Sequence, residues 1–148
     1  MKSVFQIAIV VAIAVSAASI TWFLKDSNSN PALIVHCDPA KLKPDEICFD
    51  QVSGKVLWID ARSREEWQKN GYPNSILWNL DPKEDALKME ADAVFKIAES
   101  NLVVVYCASQ ACGTSRQIAE KIRKLQLGPT VKVLHGGYPA LNFKSKKK

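Results

Sequence analysis

The sequence predicts an α/β fold, a central, mostly parallel five-stranded sheet flanked by helices, preceded by one N-terminal transmembrane helix. Three observations carry that expectation. The runs Val56-Leu57-Trp58-Ile59, Leu102-Val103-Val104-Val105-Tyr106 and Val131-Lys132-Val133-Leu134 are rich in β-branched and aromatic residues and have the length of strands, not of helices. Segments with helix caps or helical apolar spacing alternate with them, the pattern of strands joined by crossover helices. Before all of these, Val4 to Leu24 holds 21 residues without a charge.

At about 1.5 Å per helical residue that first segment reaches about 31 Å, enough for a hydrocarbon core of about 30 Å. Trp22 near its end suits an interfacial anchor. A cleaved signal peptide is the alternative, because Ser16-Ala17-Ala18 offers a small-residue cleavage site. Lys2 keeps the short terminus in the cytoplasm by the positive-inside bias, so the expected location is the inner membrane, single-pass, with the domain facing the periplasm. Cleavage would make the domain a secreted one. The expected organisation is residues 1–25 as anchor or signal, 26–31 as linker, 32–143 as domain and 144–148 as a basic tail.

Asp26 to Pro31 is a polar, turn-rich linker. Ala32 to His36 could form a first short strand, and Asp38 to Ile47, with Pro39 and Pro44, leaves room for a short helical turn. Val56 to Ile59 is a buried strand ending at Asp60. Ser63 caps a helix through Glu65, Glu66 and Trp67, which Gly71 stops. Ser75 to Trp78 reads as a strand. Asp85 to Glu99 reads as an amphipathic helix with Leu87, Ala91, Val94, Phe95 and Ala98 on its apolar side. Leu102 to Tyr106 is the next strand, Thr114 and Ser115 are N-cap residues for a helix to Leu125, and Val131 to Leu134 is the last strand. Ligand sites of such sheets lie at the carboxyl ends of strands, and Cys107 occupies one.

The formal charge of +5 does not indicate a nucleic-acid partner. Lys2, Lys25, Lys144, Lys146, Lys147 and Lys148 lie at the two ends, and the 14 basic residues between Asp26 and Phe143 face all 15 acidic ones, leaving that body at −1.

The four cysteines carry the chemistry. Cys107 leaves a buried strand and enters a polar loop that opens onto a helix, where unpaired N–H groups and the helix dipole favour a thiolate. Backbone N–H groups of Ala108, Ser109, Gln110, Ala111 and Gly113, with the helix start at Thr114, Ser115 and Arg116, would hold an anionic substrate. Gly113 would permit a tight approach, and Arg116 reads equally as added positive potential or as a solvated helix residue. Cys112 could resolve an oxidised Cys107, or be joined to it in a disulfide that closes the loop for good. Cys37 and Cys48 are expected to pair with each other. No metal site is expected, since neither pair has metal-ligand spacing and no histidines complete it. His135 reads as a surface histidine or a neighbour of the active loop. Asp60 and Arg62 read as scaffold residues that hydrogen-bond turns, rather than as an acid–base pair.

From Leu33 to Phe143 the chain resembles a rhodanese-like domain. Three islands carry the resemblance: Val56-Leu57-Trp58-Ile59-Asp60-Ala61-Arg62 with Glu66-Trp67; Val105-Tyr106-Cys107 through the loop to Ser115, with Ala119; and Val131-Lys132-Val133-Leu134-His135-Gly136-Gly137-Tyr138-Pro139-Ala140, similar to the family's Gly-Gly turn. Where the family shows His-Ile-x-Gly-Ala, this chain has Tyr72-Pro73-Asn74-Ser75-Ile76. Its loop is about two residues longer than the common form and resembles a subgroup with a Cys-x4-Cys loop. The resemblance implies a sulfurtransferase without cofactor, with a persulfide on Cys107, a small sulfur-containing anion as donor and a thiol as acceptor, and Gly136 and Gly137 as structural residues. It also admits a catalytically inactive module that binds a protein partner. Related phosphatases use Cys-x5-Arg, but Gly113 stands sixth after Cys107 and Arg116 falls three places later.

Overall fold

In the computed structural model the described residues are 37–109, 111 and 113–145, with side chains described as far as Leu141. The strands are β1 (Glu46–Ile47), β2 (Val56–Asp60), β3 (Ile76–Leu77), β4 (Leu102–Tyr106) and β5 (Thr130–Leu134). The helices are α1 (Arg64–Asn70), α2 (Ala86–Ala98), α3 (Thr114–Lys124) and α4 (Tyr138–Ser145). All strand pairs are parallel, in the order β1-β5-β4-β2-β3. The expected α/β class and five-strand sheet are therefore present.

Side chains alternate across the sheet, and each face builds its own core. One face sets Leu57, Ile59, Val103, Val105, Val131 and Val133 against Met89, Ala93 and Ile97 of α2 and Ile118, Ala119 and Ile122 of α3. The other sets Trp58, Val104, Tyr106 and Leu134 against Ala140 and Leu141 of α4, with Phe49, Tyr72 and Tyr138 packed beside them.

The first strand differs from expectation. Ala32–His36 lies outside the described residues, as do the Val4–Leu24 segment and the 26–31 linker. The strand at that edge is Glu46–Ile47, within the stretch read as a proline-bounded turn. Two residues beginning with a glutamate carry no alternation to detect; their pairing is supplied by β5, with Glu46 opposite Val133 and Ile47 opposite Leu134. The short turn itself forms at Pro39–Lys41, with Asp38 accepting the Ala40 N–H. Cys37 and Cys48 are joined, their Cα atoms 5.7 Å apart, and the bridge closes this segment onto β1. Closing a loop of this size stabilises by about 2–4 kcal/mol.

Helix α1 begins as read, with a reciprocal capping box between Ser63 and Glu66. At its end Gly71 is required by space: a Cβ there would stand 2.6 Å from the Trp67 carbonyl oxygen and 2.8 Å from its ring. Helix α2 is rotated from expectation. Its buried residues are Met89, Ala93 and Ile97, whereas Leu87 and Phe95 are 81% and 79% exposed, with Ala91 and Ala98 also exposed. Two apolar stripes share this helix, and the one that meets the sheet is Met89, Ala93 and Ile97, which lie in one core with Val103 and Val105. Among the described residues no helix is long and apolar enough to cross a membrane. At the carboxyl end, α4 continues through Lys144 and Ser145, the first two residues of the expected tail.

The facing of α2 predicts a contrast in stability. Ile97→Ala should destabilise by about 2–5 kcal/mol in urea denaturation, whereas Phe95→Ala should stay within about 0.5 kcal/mol of the parent. Equal losses would put Phe95 in a core.

Candidate active site

The sheet register assembles the site. Ile47 lies opposite Leu134, Val133 opposite Val105, and Asp60 opposite both Tyr106 and Leu77. The next residues, Cys48, His135, Cys107 and Ala61, therefore leave four neighbouring strands at one level. Backbone bonds continue there: His135 N–H donates to Ile47 O at 3.0 Å and Ala61 N–H to Tyr106 O at 2.8 Å.

Beneath that row lies a buried ion pair. Arg62 and Asp60 have side chains 2% and 0% exposed, and the guanidinium grips the carboxylate through Nε at 3.0 Å and Nη2 at 2.7 Å. The Arg62 N–H also donates to Asp60 at 2.9 Å. Asn70 of α1 accepts from Nη1 at 3.0 Å, and Asn79 donates to the Arg62 carbonyl at 3.0 Å. Tyr106 O–H donates to Asp60 at 2.7 Å and accepts from the Tyr72 N–H at 3.0 Å. The guanidinium carbon lies 3.8 Å from the Tyr138 ring centre, a cation–π contact. Burial and the adjoining Asp60 carboxylate push the Tyr106 hydroxyl well above its ordinary range, so it is a fixed donor. Burial opposes charge on Arg62, but its bonds to Asp60 more than offset this and raise its pKa. Asp60 and Arg62 thus lie buried and bonded to each other, to α1 and to Tyr106.

Above the pair, Tyr138 N–H donates to the Cys107 carbonyl at 2.7 Å. The Gly136-Gly137 turn makes that contact, with φ of +81° and +63°. A Cβ on Gly137 would stand 2.6 Å from the Cys107 carbonyl oxygen and 3.0 Å from the Ser109 carbonyl carbon. Both conformation and space thus require glycine at Gly137. Gly113 carries neither demand: its φ is −75°, and the nearest atom to a Cβ would be Gln117 Nε2 at 3.8 Å.

Cys107 is 1% exposed and disulfide-bonded; no free cysteine occurs among the described residues. Of the two states the sequence leaves open, a thiolate and a disulfide, the structure holds the disulfide. Gln110 and Cys112 lie outside the described residues. Ala108, Ser109, Ala111 and Gly113 are exposed, and the Ser109 carbonyl oxygen stands 3.6 Å from Cys107 Sγ. Thr114 and Ser115 are the first two residues inside α3 and do not cap it. Gly113 holds the N-cap position without a side-chain bond, leaving the dipole end of α3 at the loop.

Arg116, in the first turn of α3, is engaged by carboxylates. It ion-pairs with buried Glu46 and lies 3.9 Å from Asp45. His135 Nδ1 stands 3.1 Å from the other Glu46 oxygen, and the Lys43 N–H lies 3.4 Å from it. Burial alone would raise the Glu46 pKa, but His135, Arg116 and the Lys43 N–H together hold it below its ordinary 4.5. Glu46, Tyr106 and Tyr138 are site residues that the sequence reading missed. The available signals were a lone glutamate beside a strand edge and two tyrosines adjoining Cys107 and the Gly-Gly turn. No group of three or more metal-binding side chains occurs among the described residues.

A parallel α/β sheet whose central strand ends in a cysteine-bearing loop, closed over by a Gly-Gly turn, defines the class. The rhodanese-like domain model matches residues 50–143, and the chain belongs to that family. No curated protein matches the chain significantly. Three solved structures are similar to it. One is the N-terminal domain of a Clostridium difficile 630 protein described as ATP/GTP binding, with 21% identity, 69% of this chain and 99% of that chain covered, and TM-score 0.49. A Bacillus halodurans protein has 25% identity, coverage of 56% and 55%, and TM-score 0.43. A Rhodopseudomonas palustris CGA009 protein has 24% identity, coverage of 61% and 67%, and TM-score 0.42.

Two predictions follow from the ion pairs. Asp60→Asn leaves the Arg62 charge buried and should cost about 3–5 kcal/mol by chemical denaturation; a loss below about 1 kcal/mol would contradict the clamp. Because the folded Glu46 pKa is depressed, its contribution is present above 4.5 and lost as pH falls through and below that value. Glu46→Gln should lose about 1.5–3 kcal/mol at neutral pH and show a shallower decline in stability toward about pH 3.5. Parallel pH curves for parent and variant would contradict this.

Proposed function

We propose that this protein is a rhodanese-like sulfurtransferase or thiol-exchange protein whose active loop alternates between a disulfide and a dithiol, with Cys107 carrying the sulfur as a persulfide. The observation that carries this reading is the disulfide on Cys107, at the strand-end position where the family holds its reactive cysteine. Cys37 and Cys48 being joined, Cys112 is the cysteine the sequence leaves as its partner.

A reducing dithiol supplies two electrons and two protons, giving Cys107 and Cys112 as thiols. The Cys107 thiolate attacks the outer sulfur of a donor; the donor's S–S bond breaks, its inner group leaves as a thiolate or sulfite, and Cys107 holds the sulfur. An acceptor thiolate then takes that sulfur, restoring the Cys107 thiolate without net oxidation. Alternatively the Cys112 thiolate attacks the inner sulfur of protonated Cys107 persulfide and expels hydrosulfide, which re-forms the disulfide. The charge-free stretch Val4–Leu24 supports anchoring in the inner membrane, and an oxidising periplasm suits a domain whose Cys37, Cys48 and Cys107 are all oxidised.

The second reading is a binding module with the loop permanently locked, favoured by the 1% exposure of Cys107. Mass measurement separates the two. After reduction by a dithiol, removal of the reductant and exposure to polysulfide, the peptide holding Cys107 should gain one sulfur atom, and Cys107→Ser should abolish the gain. Loading that persists in Cys107→Ser would move the nucleophile to Cys112. A reduced parent that takes up no sulfur would leave the module reading.

A further inference from the structure

We infer that the sulfur donor is a persulfide of low net charge, on a small thiol or a protein cysteine, in preference to dianionic thiosulfate, and that Glu46 sets this preference. This rests on the sulfur-transfer reading above and concerns which donor the loop accepts.

The charges around the loop carry the inference. Two arginines adjoin it, Arg116 in the first turn of α3 and Arg62 one residue beyond Ala61, and both are held by carboxylates. Arg62 and Asp60 cancel. Arg116 faces two carboxylates, Glu46 and Asp45, so these three sum to −1. The end of α3, without a side-chain cap, adds roughly half a positive charge. Together these leave about half a negative charge, which disfavours an anionic donor and disfavours a dianion about twice as strongly as a monoanion. A doubly charged donor meets twice the repulsion from the acidic group and has no bidentate arginine to offset it.

Asp45 and Glu46 precede residues 50–143, the stretch that matches the family. They lie on the segment that the Cys37–Cys48 bridge fastens and that β1 docks on β5. The acidic group that neutralises Arg116 is thus fixed in place by this chain's own segment. Removing the Glu46 charge would free the Arg116 guanidinium at the start of α3, where it could meet an anion.

The test measures sulfur loading of the reduced full-length protein from thiosulfate, a dianion, and from cysteamine persulfide, net neutral, in parent, Glu46→Gln and Asp45→Asn. Asp45 is part-exposed, so its variant keeps the test valid if Glu46→Gln does not fold. The parent should favour the persulfide in kcat/KM, and its thiosulfate rate should rise with added salt as the repulsion is screened. Glu46→Gln should shift the thiosulfate-to-persulfide ratio toward thiosulfate by about tenfold and Asp45→Asn by about threefold, since Glu46 pairs directly with Arg116 and Asp45 lies 3.9 Å from it. A ratio unchanged in both variants, or a parent thiosulfate rate that falls with salt, would overturn the charge argument while leaving sulfur transfer standing. Failure of both donors to load the reduced parent would instead remove the sulfur-transfer reading and this inference with it.

Discussion

Parallel pairing of β4 between β2 and β5 is the constraint on which the site depends. It fixes Cys107 at the same level as Ala61 on one side and His135 on the other. A slip of one residue would turn Cys107 toward the α4 face and Tyr106 toward α3, exchanging the two cores. The register is held from both ends. Val103, Val104 and Val105 are wholly buried, and at the carboxyl end Tyr106 reaches the Asp60 carboxylate while Tyr138 reaches the Cys107 carbonyl. The Asp60–Arg62 pair thereby joins β2, the end of α1, β4 and α4 into one support beneath the loop.

A second connection enters from the amino-terminal side of the domain. The Cys37–Cys48 bridge limits the freedom of the segment that ends in β1, and β1 delivers a single buried carboxylate. That carboxylate takes up the one arginine of the α3 first turn and a histidine of the Gly-Gly strand. The loop is therefore bordered on two sides by ion pairs, and its residues Ala108, Ser109, Ala111 and Gly113 are exposed.

Much of this was legible in the sequence because it depended on local signals. The strand at Leu102–Tyr106 is a run of β-branched residues, the start of α1 is a capping box, and the Gly136-Gly137 pair marks a turn that only glycine enters easily. What escaped depended on partners distant in the chain. Glu46 acquires its strand from β5, nearly ninety residues on, and its role from Arg116 and His135. Helix α2 shows two apolar stripes, and a periodicity count cannot tell which one meets the sheet; the larger residues Leu87 and Phe95 pointed to the wrong one. Gly113 invited a steric reason that belongs to Gly137, because a close approach of two loops has no signature in either loop alone. The oxidised state of Cys107 was open in the sequence for the same reason: a thiol's bonding is a property of the loop's path.

The central claim is that the Cys107 disulfide is a working one that yields a reactive thiol. Differential alkylation during graded reduction by a dithiol, followed by peptide mapping of all four cysteines, tests it most directly. The account predicts that Cys107 and Cys112 become alkylated together at a reductant concentration that leaves Cys37 and Cys48 joined and the domain folded. Cys107 becoming accessible only when the Cys37–Cys48 bridge opens or the domain unfolds would contradict it.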